Sequence, residues 1–253
     1  MRICKLIVPL FLLVMNCISS VCFGADVTVY FYNPETNINN FALLKSSFDS
    51  YLSVYGDYQF QPFDSQDKIE QNIRKGSIYL LSSWHLNALQ QKFPLKIALV
   101  GTFKGNSTQK KILSVKKEMN DFSMLKNATI SGAGSEEYNR SILQQIEPEK
   151  YKELADSIKI LKVPKDIDAL MAVGFGVADA AIAAENNLKI LESLNSNQHK
   201  KLHSLGSSEQ SYLLVAATLD KPDKNEMKVL NILFGMSGKK DLNLLGLDGW
   251  IWK

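Results

Sequence analysis

The sequence predicts an α/β protein of two lobes, each a mostly parallel sheet flanked by helices. Short β-branched or aromatic runs alternate with segments of helical apolar spacing along nearly all of residues 27–234. A polar turn at residues 104–109 interrupts this alternation and joins two strand-like runs without a helix between them. A late strand at 212–218 has the character of the earlier segment 97–103. We therefore expect the chain to leave a first sheet, build a second one and return.

Strands and helices alternate in the first part of the chain. The β-branched and aromatic run 27–32 predicts a strand, and the apolar residues Phe41, Leu44, Phe48 and Leu52 predict the helix that follows it. Further strands are predicted at 58–62, 77–81 and 95–103, and further helices at 68–75, which Gly76 ends, and at 84–91. Because strands connected through helices run parallel, this order predicts a parallel sheet.

The second lobe repeats this alternation. Its strands are predicted at 112–115, 128–130, 158–163 and 178–183, and its helices at 121–125, 135–145, 165–173 and 186–194. The strand 212–218, a helix over 221–234 and a Leu-rich tail then complete the first lobe. The expected organisation is a signal peptide at 1–24, a first lobe from 25–104 and 214–253, an inserted second lobe at 105–213, and two connecting strands as a hinge.

The first 24 residues have the three parts of a secretory signal peptide. A basic start precedes an apolar run over residues 6–15, and small and polar residues lead to a cleavage site after Gly24. All three cysteines, Cys4, Cys17 and Cys22, lie in this segment, so cleavage leaves a chain without cysteine. A cysteine-free exported protein suits an oxidising compartment, and we expect a periplasmic location. Lipidation at Cys22 is the alternative.

Composition excludes several functional classes. Hydrophobic content of 45% and charged content of 22% are typical of an ordered globular protein. Lysine pairs at 110–111, 116–117, 200–201 and 239–240 are scattered, and we expect them to be solvated surface and not the concentrated basic face of a nucleic-acid binder. After the first 24 residues, no apolar run reaches the length of a membrane span.

Catalytic and metal motifs are poorly represented. The chain after residue 24 has no cysteine nucleophile and no Gly-x-Ser-x-Gly elbow. His199 and His203 are spaced for a shared metal, but no Glu follows His199 and the pair Lys200-Lys201 would repel a cation. We therefore expect no enzyme, no cofactor and no metal site.

Four segments resemble those of a known family. They are the run 111–117 with the short helix 121–125, the strand and Gly/Ser loop 128–135, the stretch 163–182 and the tail 238–250. The third contains Asp168-Ala-Leu-Met-Ala172 and Gly176-Val-Ala-Asp-Ala-Ala181. In these segments the chain is similar to type 2 periplasmic solute-binding proteins of ABC importers, most of all the phosphate/phosphite/phosphonate-binding branch. It departs from them at residues 125–128, where Leu-Lys-Asn-Ala replaces the usual Leu-Lys-Gly-Lys.

The resemblance implies a two-lobed clamshell whose interlobe cleft closes on a small ligand. It also implies a phosphate- or phosphonate-like oxyanion, held by Ser and Thr hydroxyls and backbone amides, and docking of the closed form on a membrane permease. The alternative is a protein that signals to a membrane receptor without transport. A periplasmic hydrolase on the same fold would need a nucleophile–base pair that the sequence does not provide. We expect a monomer.

The loop 131–135 is a candidate anion site because it follows a strand and opens a helix, where backbone N–H groups are free. Ser135 suits the N-cap of that helix, so an ordinary capped loop is the alternative. Glu136 and Glu137 in the first turn count against a highly charged anion, because like charges repel.

Polar residues at the ends of other predicted strands complete the set, since ligands of open α/β sheets lie beyond the carboxyl ends of strands. For these residues, packing and helix capping compete with ligand contact. Glu185 follows a strand end and is either a contact for a cationic ligand group or a surface residue. The ligand-binding candidates are Tyr32, Asn33, Thr36, Ser82, Ser83, Trp84, His85, Ser131, Gly134, Ser135 and Glu185.

Overall fold

The computed structural model describes residues 26–36, 38 and 40–253. The predicted signal peptide lies outside the described residues. The strands are β1 Val27–Tyr32, β2 Tyr58–Pro62, β3 Ser77–Leu81, β4 Leu95–Thr102, β5 Thr108–Gln109, β6 Lys111–Lys116, β7 Thr129–Ala133, β8 Lys159–Val163, β9 Ala180–Ala184, β10 Leu202–Ser207, β11 Ser211–Tyr212, β12 Val215–Leu219 and β13 Gly249–Trp252. The helices are α1 Phe41–Ser53, α2 Gln66–Glu70, α3 Ser83–Gln90, α4 Glu136–Ile146, α5 Pro148–Leu154, α6 Asp166–Gly174, α7 Glu185–Leu194, α8 Ser196–His199 and α9 Lys224–Phe234, with 3₁₀ turns at Phe122–Leu125 and Lys240–Leu245.

The first lobe is built on a six-stranded sheet of order β13-β4-β12-β3-β1-β2. β1 runs parallel to β2 and β3, with Val29 opposite Phe60 and Ile78. The expected parallel arrangement does not extend to β4, because β12 enters between β3 and β4 and pairs antiparallel with both. β13 is also antiparallel to β4. The sheet is therefore mixed.

The second lobe is built on a five-stranded sheet of order β10-β6-β9-β7-β8. β7 runs parallel to β8 and β9, and β6 runs antiparallel to β9 and β10, so this sheet is mixed as well. The sequence predicts no element at β10, whose pairing with β6 shifts register between Ser204 and Gly206. Such an irregularity weakens the alternation by which a strand is recognised.

Two short strands connect the lobes. β5 leads from the first sheet into the second, β11 leads back, and the two pair antiparallel through Gln109 with Ser211 and Thr108 with Tyr212. This arrangement is the predicted two-strand hinge.

Apolar side chains cover both faces of each sheet. In the first lobe, Phe31 and Phe60 of the sheet pack with Phe48 of α1 on one face, whereas Tyr79 and Trp84 belong to a cluster on the other. Two further clusters flank the second sheet. Within the described part of the chain, no helix has both the length and the apolar character needed to cross a bilayer.

Candidate functional site

The two lobes meet at the carboxyl ends of β1 and β3. These neighbouring parallel strands deliver the loop 33–36 and the segment 82–85 to the same edge of the sheet. The second lobe contributes residues at or near the starts of α4, α6 and α7 to the contact. Loops that follow strands of both sheets therefore converge between the lobes.

A buried charge cluster lies in this interface, and we call Lys111, Glu35 and Asp166 the latch. Lys111 Nζ lies 2.6 Å from Asp166 Oδ2 in its own lobe and 3.0 Å from Glu35 Oε1 in the other lobe. All three side chains are at most 4% exposed. Gln109 Nε2, in the hinge, donates a hydrogen bond to the second carboxylate oxygen of Glu35. The latch thus joins the first lobe, the hinge and the second lobe.

The electrostatics of the latch follow from its burial. Burial alone would lower the pKa of Lys111, but Asp166 and Glu35 raise it above its ordinary value, so the ammonium stays charged. Burial, helped by the nearby Asp166, raises the pKa of Glu35, and Lys111 opposes that rise. The three side chains of the latch together carry one net negative charge, and this charge stabilises the protonated form of Lys111.

Backbone contacts hold the loop 33–36 against the second lobe. The Asp166 N–H donates to the Pro34 carbonyl at 3.3 Å, and Asn187 Nδ2 donates to the Glu35 carbonyl at 3.0 Å. Within the loop, Asn33 Oδ1 accepts from the Glu35 N–H at 2.9 Å. Thr36 Oγ1 donates to the Asn33 carbonyl at 2.9 Å. The position of Glu35 is thus fixed from both lobes.

Aromatic rings form a dry contact beside the latch. Trp84 of α3 stacks on Tyr138 of α4 with ring centroids 4.7 Å apart. Gly134 lies against Trp84, and a Cβ there would approach the indole to 2.9 Å. Ser135 Oγ caps α4 by accepting from the Tyr138 N–H at 3.1 Å, which positions the ring. We call Trp84, Gly134 and Tyr138 the dry contact.

The segment entering α3 contains buried polar atoms without hydrogen-bond partners. They are Ser82 Oγ, Trp84 Nε1 and both ring nitrogens of His85. His85 Nε2 lies 3.4 Å from Glu70 Oε1 without hydrogen-bond geometry. Burial lowers the pKa of His85 to about 4, although Glu70 opposes the change.

A cavity of about 500 Å³ opens next to the latch. Both lobes and the hinge line it, and Glu35 belongs to its wall. The lining is rich in amides and carries three lysines, Lys104, Lys110 and Lys189, against two glutamates, Glu35 and Glu185. When Lys111 and Asp166 of the latch are counted with these groups, four lysines face three carboxylates, so the net charge at the cavity is +1. Across the residues that the structure describes, no three His, Cys, Asp or Glu side chains form a potential metal site.

The structure places the candidate residues in three settings. Asn33, Thr36 and Glu185 line the cavity, and Trp84 and Gly134 form part of the dry contact beside the N-cap Ser135. Tyr32, Ser82, Ser83 and His85 are buried beside that contact in the first lobe, and Ser131 is buried in the second.

Two of the candidate serines have structural partners. Ser83 Oγ donates to the Tyr212 carbonyl at 2.9 Å and so ties α3 to the hinge. Ser131 Oγ donates to the carbonyls of Ala169 and Ala180, which ties α6 to β9. The ligand-binding role of the eleven candidates stays a prediction.

Sequence reasoning missed the latch. The expectation that the lysine pairs are solvated is wrong for Lys111, whose side chain is 2% exposed. Its partners lie 76 positions before it and 55 after it, and no local pattern connects them. The only available signal was its place at the start of a strand that leaves the hinge.

The fold has many counterparts among solved structures. A binding protein component of an ABC phosphonate transporter from Pseudomonas aeruginosa superimposes with a TM-score of 0.68 at 12% identity, covering 90% of this chain and 81% of that one. A Prochlorococcus marinus protein in complex with methylphosphonate gives 0.68 at 11% identity, covering 90% and 93%. A histidine kinase sensor domain with similarity to periplasmic binding proteins gives 0.50 at 11% identity, covering 87% and 88%.

No family model and no curated protein sequence matches the chain. At such low identity the structural likeness establishes the fold. The chain therefore has the two-lobed fold of a type 2 periplasmic solute-binding protein.

Proposed function

We propose that this protein is a periplasmic solute-binding protein that captures a small, oxygen-rich anion in the interlobe cavity and delivers it to an ABC importer. One observation carries the proposal: residues of both lobes and of the hinge line the same cavity of about 500 Å³. A solute there contacts both lobes only when they are closed. Its binding free energy adds to the contacts that hold the lobes together, and a permease can recognise the closed form that contains the solute.

The lysines and amide side chains of the cavity wall favour an anion of phosphate or phosphonate type as the solute. Lys104, Lys110 and Lys189 supply three positive charges, one more than the negative charges of Glu185 and of the latch, whose two carboxylates share one lysine. Amide groups of Asn106, Asn186, Asn187, Gln210 and Asn243 surround these charges and can donate to oxygen acceptors. The fold is similar to that of a binding protein component of an ABC phosphonate transporter and to that of a protein in complex with methylphosphonate. Both likenesses agree with an anion of this type.

Thermal unfolding of the purified protein tests the proposal. The panel contains phosphate, phosphite, methylphosphonate, sulfate and acetate, with chloride as the control for ionic strength. An anion present at about 100 times its Kd stabilises the native state by about 2.7 kcal/mol, which raises the unfolding temperature visibly.

A pair of variants localises the effect. Lys110→Ala removes a half-buried cation from the cavity wall, and we expect it to lose most of the shift. Lys75→Ala removes an exposed lysine outside the cavity and should keep the full shift. An equal response of all anions, or an equal shift in the two variants, contradicts binding in the cavity.

The second candidate function is ligand sensing without transport. The likeness to a histidine kinase sensor domain with similarity to periplasmic binding proteins favours it, since that protein is described as a sensor. Uptake of the radiolabelled anion by cells with and without the gene separates the two functions. Loss of uptake supports import, and unchanged uptake with a changed transcriptional response supports sensing.

A further inference from the structure

The cation that joins the two lobes belongs to the chain itself. Lys111 starts β6, directly after the hinge strand β5. Its backbone is fixed, because its N–H donates to Ser208 Oγ at 3.0 Å and its carbonyl accepts from the Ser208 N–H at 2.8 Å. From this fixed point the side chain reaches Asp166 in its own lobe and Glu35 across the interface.

The surroundings of the ammonium have the chemistry of a binding site for an alkylammonium ion. Two carboxylates accept from it, and charged hydrogen bonds of this kind are the strong ones. The ring of Tyr138 lies 5.9 Å from Lys111 Nζ, within the distance of a cation–π contact. Each of the three groups is fixed independently: Glu35 by Gln109, Asp166 by the Ala184 N–H and Tyr138 by the stacked Trp84.

We propose that Lys111 is a tethered cationic ligand that holds the two lobes closed while the neighbouring cavity is empty. Glu35 is the group of the first lobe that this ligand binds. The inference goes beyond the proposed function, since it concerns closure without solute and holds whichever anion the cavity takes.

The distribution of contacts explains why Glu35 controls closure. Separation of the lobes leaves Lys111 paired with Asp166 inside the second lobe, so that lobe keeps a balanced ion pair. Glu35 loses its contacts with Lys111 and Asn187. The free energy of closure therefore depends on Glu35, whereas the folding of the second lobe depends on Asp166.

Small-angle X-ray scattering in a chloride buffer, without any of the candidate anions, tests closure directly. The wild-type protein should give the radius of gyration of the closed structure. Glu35→Ala should give a larger one, because the first lobe no longer binds the ammonium. Glu192→Ala, which removes an exposed carboxylate outside the cavity, should match the wild type. An open wild-type protein, or a closed Glu35→Ala variant, overturns the proposal.

Chemical rescue tests the ligand character of the side chain. Lys111→Ala removes the part of lysine that n-propylammonium restores, and this ion should raise the unfolding temperature of the variant saturably and reduce its radius of gyration. Tetramethylammonium carries the same charge without N–H donors and should have no such effect. Lys116→Ala, on the same strand with a partly exposed partner, should respond equally to both ions.

An equal response of Lys111→Ala to the two cations overturns the tethered-ligand proposal. If Lys111→Ala does not fold alone, its refolding yield with each cation gives the same comparison. Because both cations are added as chlorides and neither phosphate nor phosphonate is present, these outcomes are independent of whether the cavity binds either of those anions.

Discussion

The latch and dry contact differ from the cavity, although all three lie between the same two lobes. Around Lys111 and Trp84 the lobes touch directly, through a buried ion pair and stacked rings, and polar atoms without partners remain. Next to the latch, the cavity has a volume of about 500 Å³, and its wall is rich in amide and lysine side chains. Glu35 belongs to both regions, since one of its oxygens meets Lys111 and its side chain also lines the cavity.

Under the proposed function, this difference separates closure of the lobes from recognition of the solute. The latch and the dry contact supply the attraction between the lobes from the chain itself. The cavity supplies polar groups that a solute can satisfy. Apart from Glu35, which belongs to both regions, closure and recognition then depend on different residues, and substitutions of those residues should affect them separately.

The largest expected effect is the loss of the latch cation. Lys111→Met leaves Glu35 and Asp166 buried without their counter-ion, and breaking a buried pair in this way costs about 3–5 kcal/mol. Urea unfolding measures the free energy. Lys116→Met, which removes a partly exposed ion pair with Asp179, should cost at most about 1 kcal/mol. Equal costs for the two variants would mean that the latch is no more than a surface ion pair.

The next effect concerns His85, which is buried near the dry contact. Because the pKa of His85 is lowered to about 4 in the folded protein, the folded state accepts the neutral ring more readily than the protonated one. Its contribution is complete above the unfolded pKa of about 6.5 and is lost as the pH falls towards 4. The loss amounts to about 3 kcal/mol.

The difference between wild type and His85→Phe isolates this titration, because Glu35 and the other acids are present in both proteins. Urea unfolding across this pH range should show the wild type losing stability relative to the variant. A constant difference between the two proteins would contradict the burial of a neutral histidine.

A smaller effect is expected from filling the space beside Trp84. Gly134→Ala places a Cβ 2.9 Å from the indole at a φ of +90°. Gly105→Ala is the matched control, since its φ of +78° imposes similar backbone strain and a Cβ there meets nothing within 4 Å. Overpacking should make Gly134→Ala the less stable by about 1–3 kcal/mol in urea unfolding. Equal free energies of unfolding would show that Trp84 can move away from the added methyl group without loss of stability.

The smallest effect on stability belongs to the cavity wall. Lys110→Ala should change the free energy of unfolding by less than about 0.5 kcal/mol, because its side chain is partly exposed. Its effect on binding should be larger: the loss of one charged hydrogen bond weakens the affinity for the anion about tenfold or more. Calorimetric titration measures the affinity, and Lys75→Ala should leave it unchanged. A Lys110→Ala variant with full affinity would place the anion elsewhere.

The sequence predicted the fold well where the signals are local. The β-branched run of β1 and the apolar spacing of Leu44, Phe48 and Leu52 in α1 correspond to buried residues. The entry of β12 between β3 and β4 could not be predicted in this way, because strand order depends on pairing between distant segments.

The candidate site shows the same limit. Asn33 and Thr36 are predicted as ligand contacts because ligands of open α/β sheets lie beyond strand ends; both line the cavity, and their role in binding stays a prediction. Lys111 resembled a surface lysine, since its burial depends on carboxylates that only the folded chain brings to it. Neither composition nor a local sequence motif indicates such a contact.

A crystal structure of the protein soaked with methylphosphonate tests the separation of closure from recognition most directly. We expect the anion in the cavity, within hydrogen-bond distance of Lys110 or the surrounding amides, with the Lys111–Glu35 bridge and the Trp84–Tyr138 stack unchanged. An anion bound between Trp84 and Tyr138 in separated lobes, with Glu35 released from Lys111, would contradict the account.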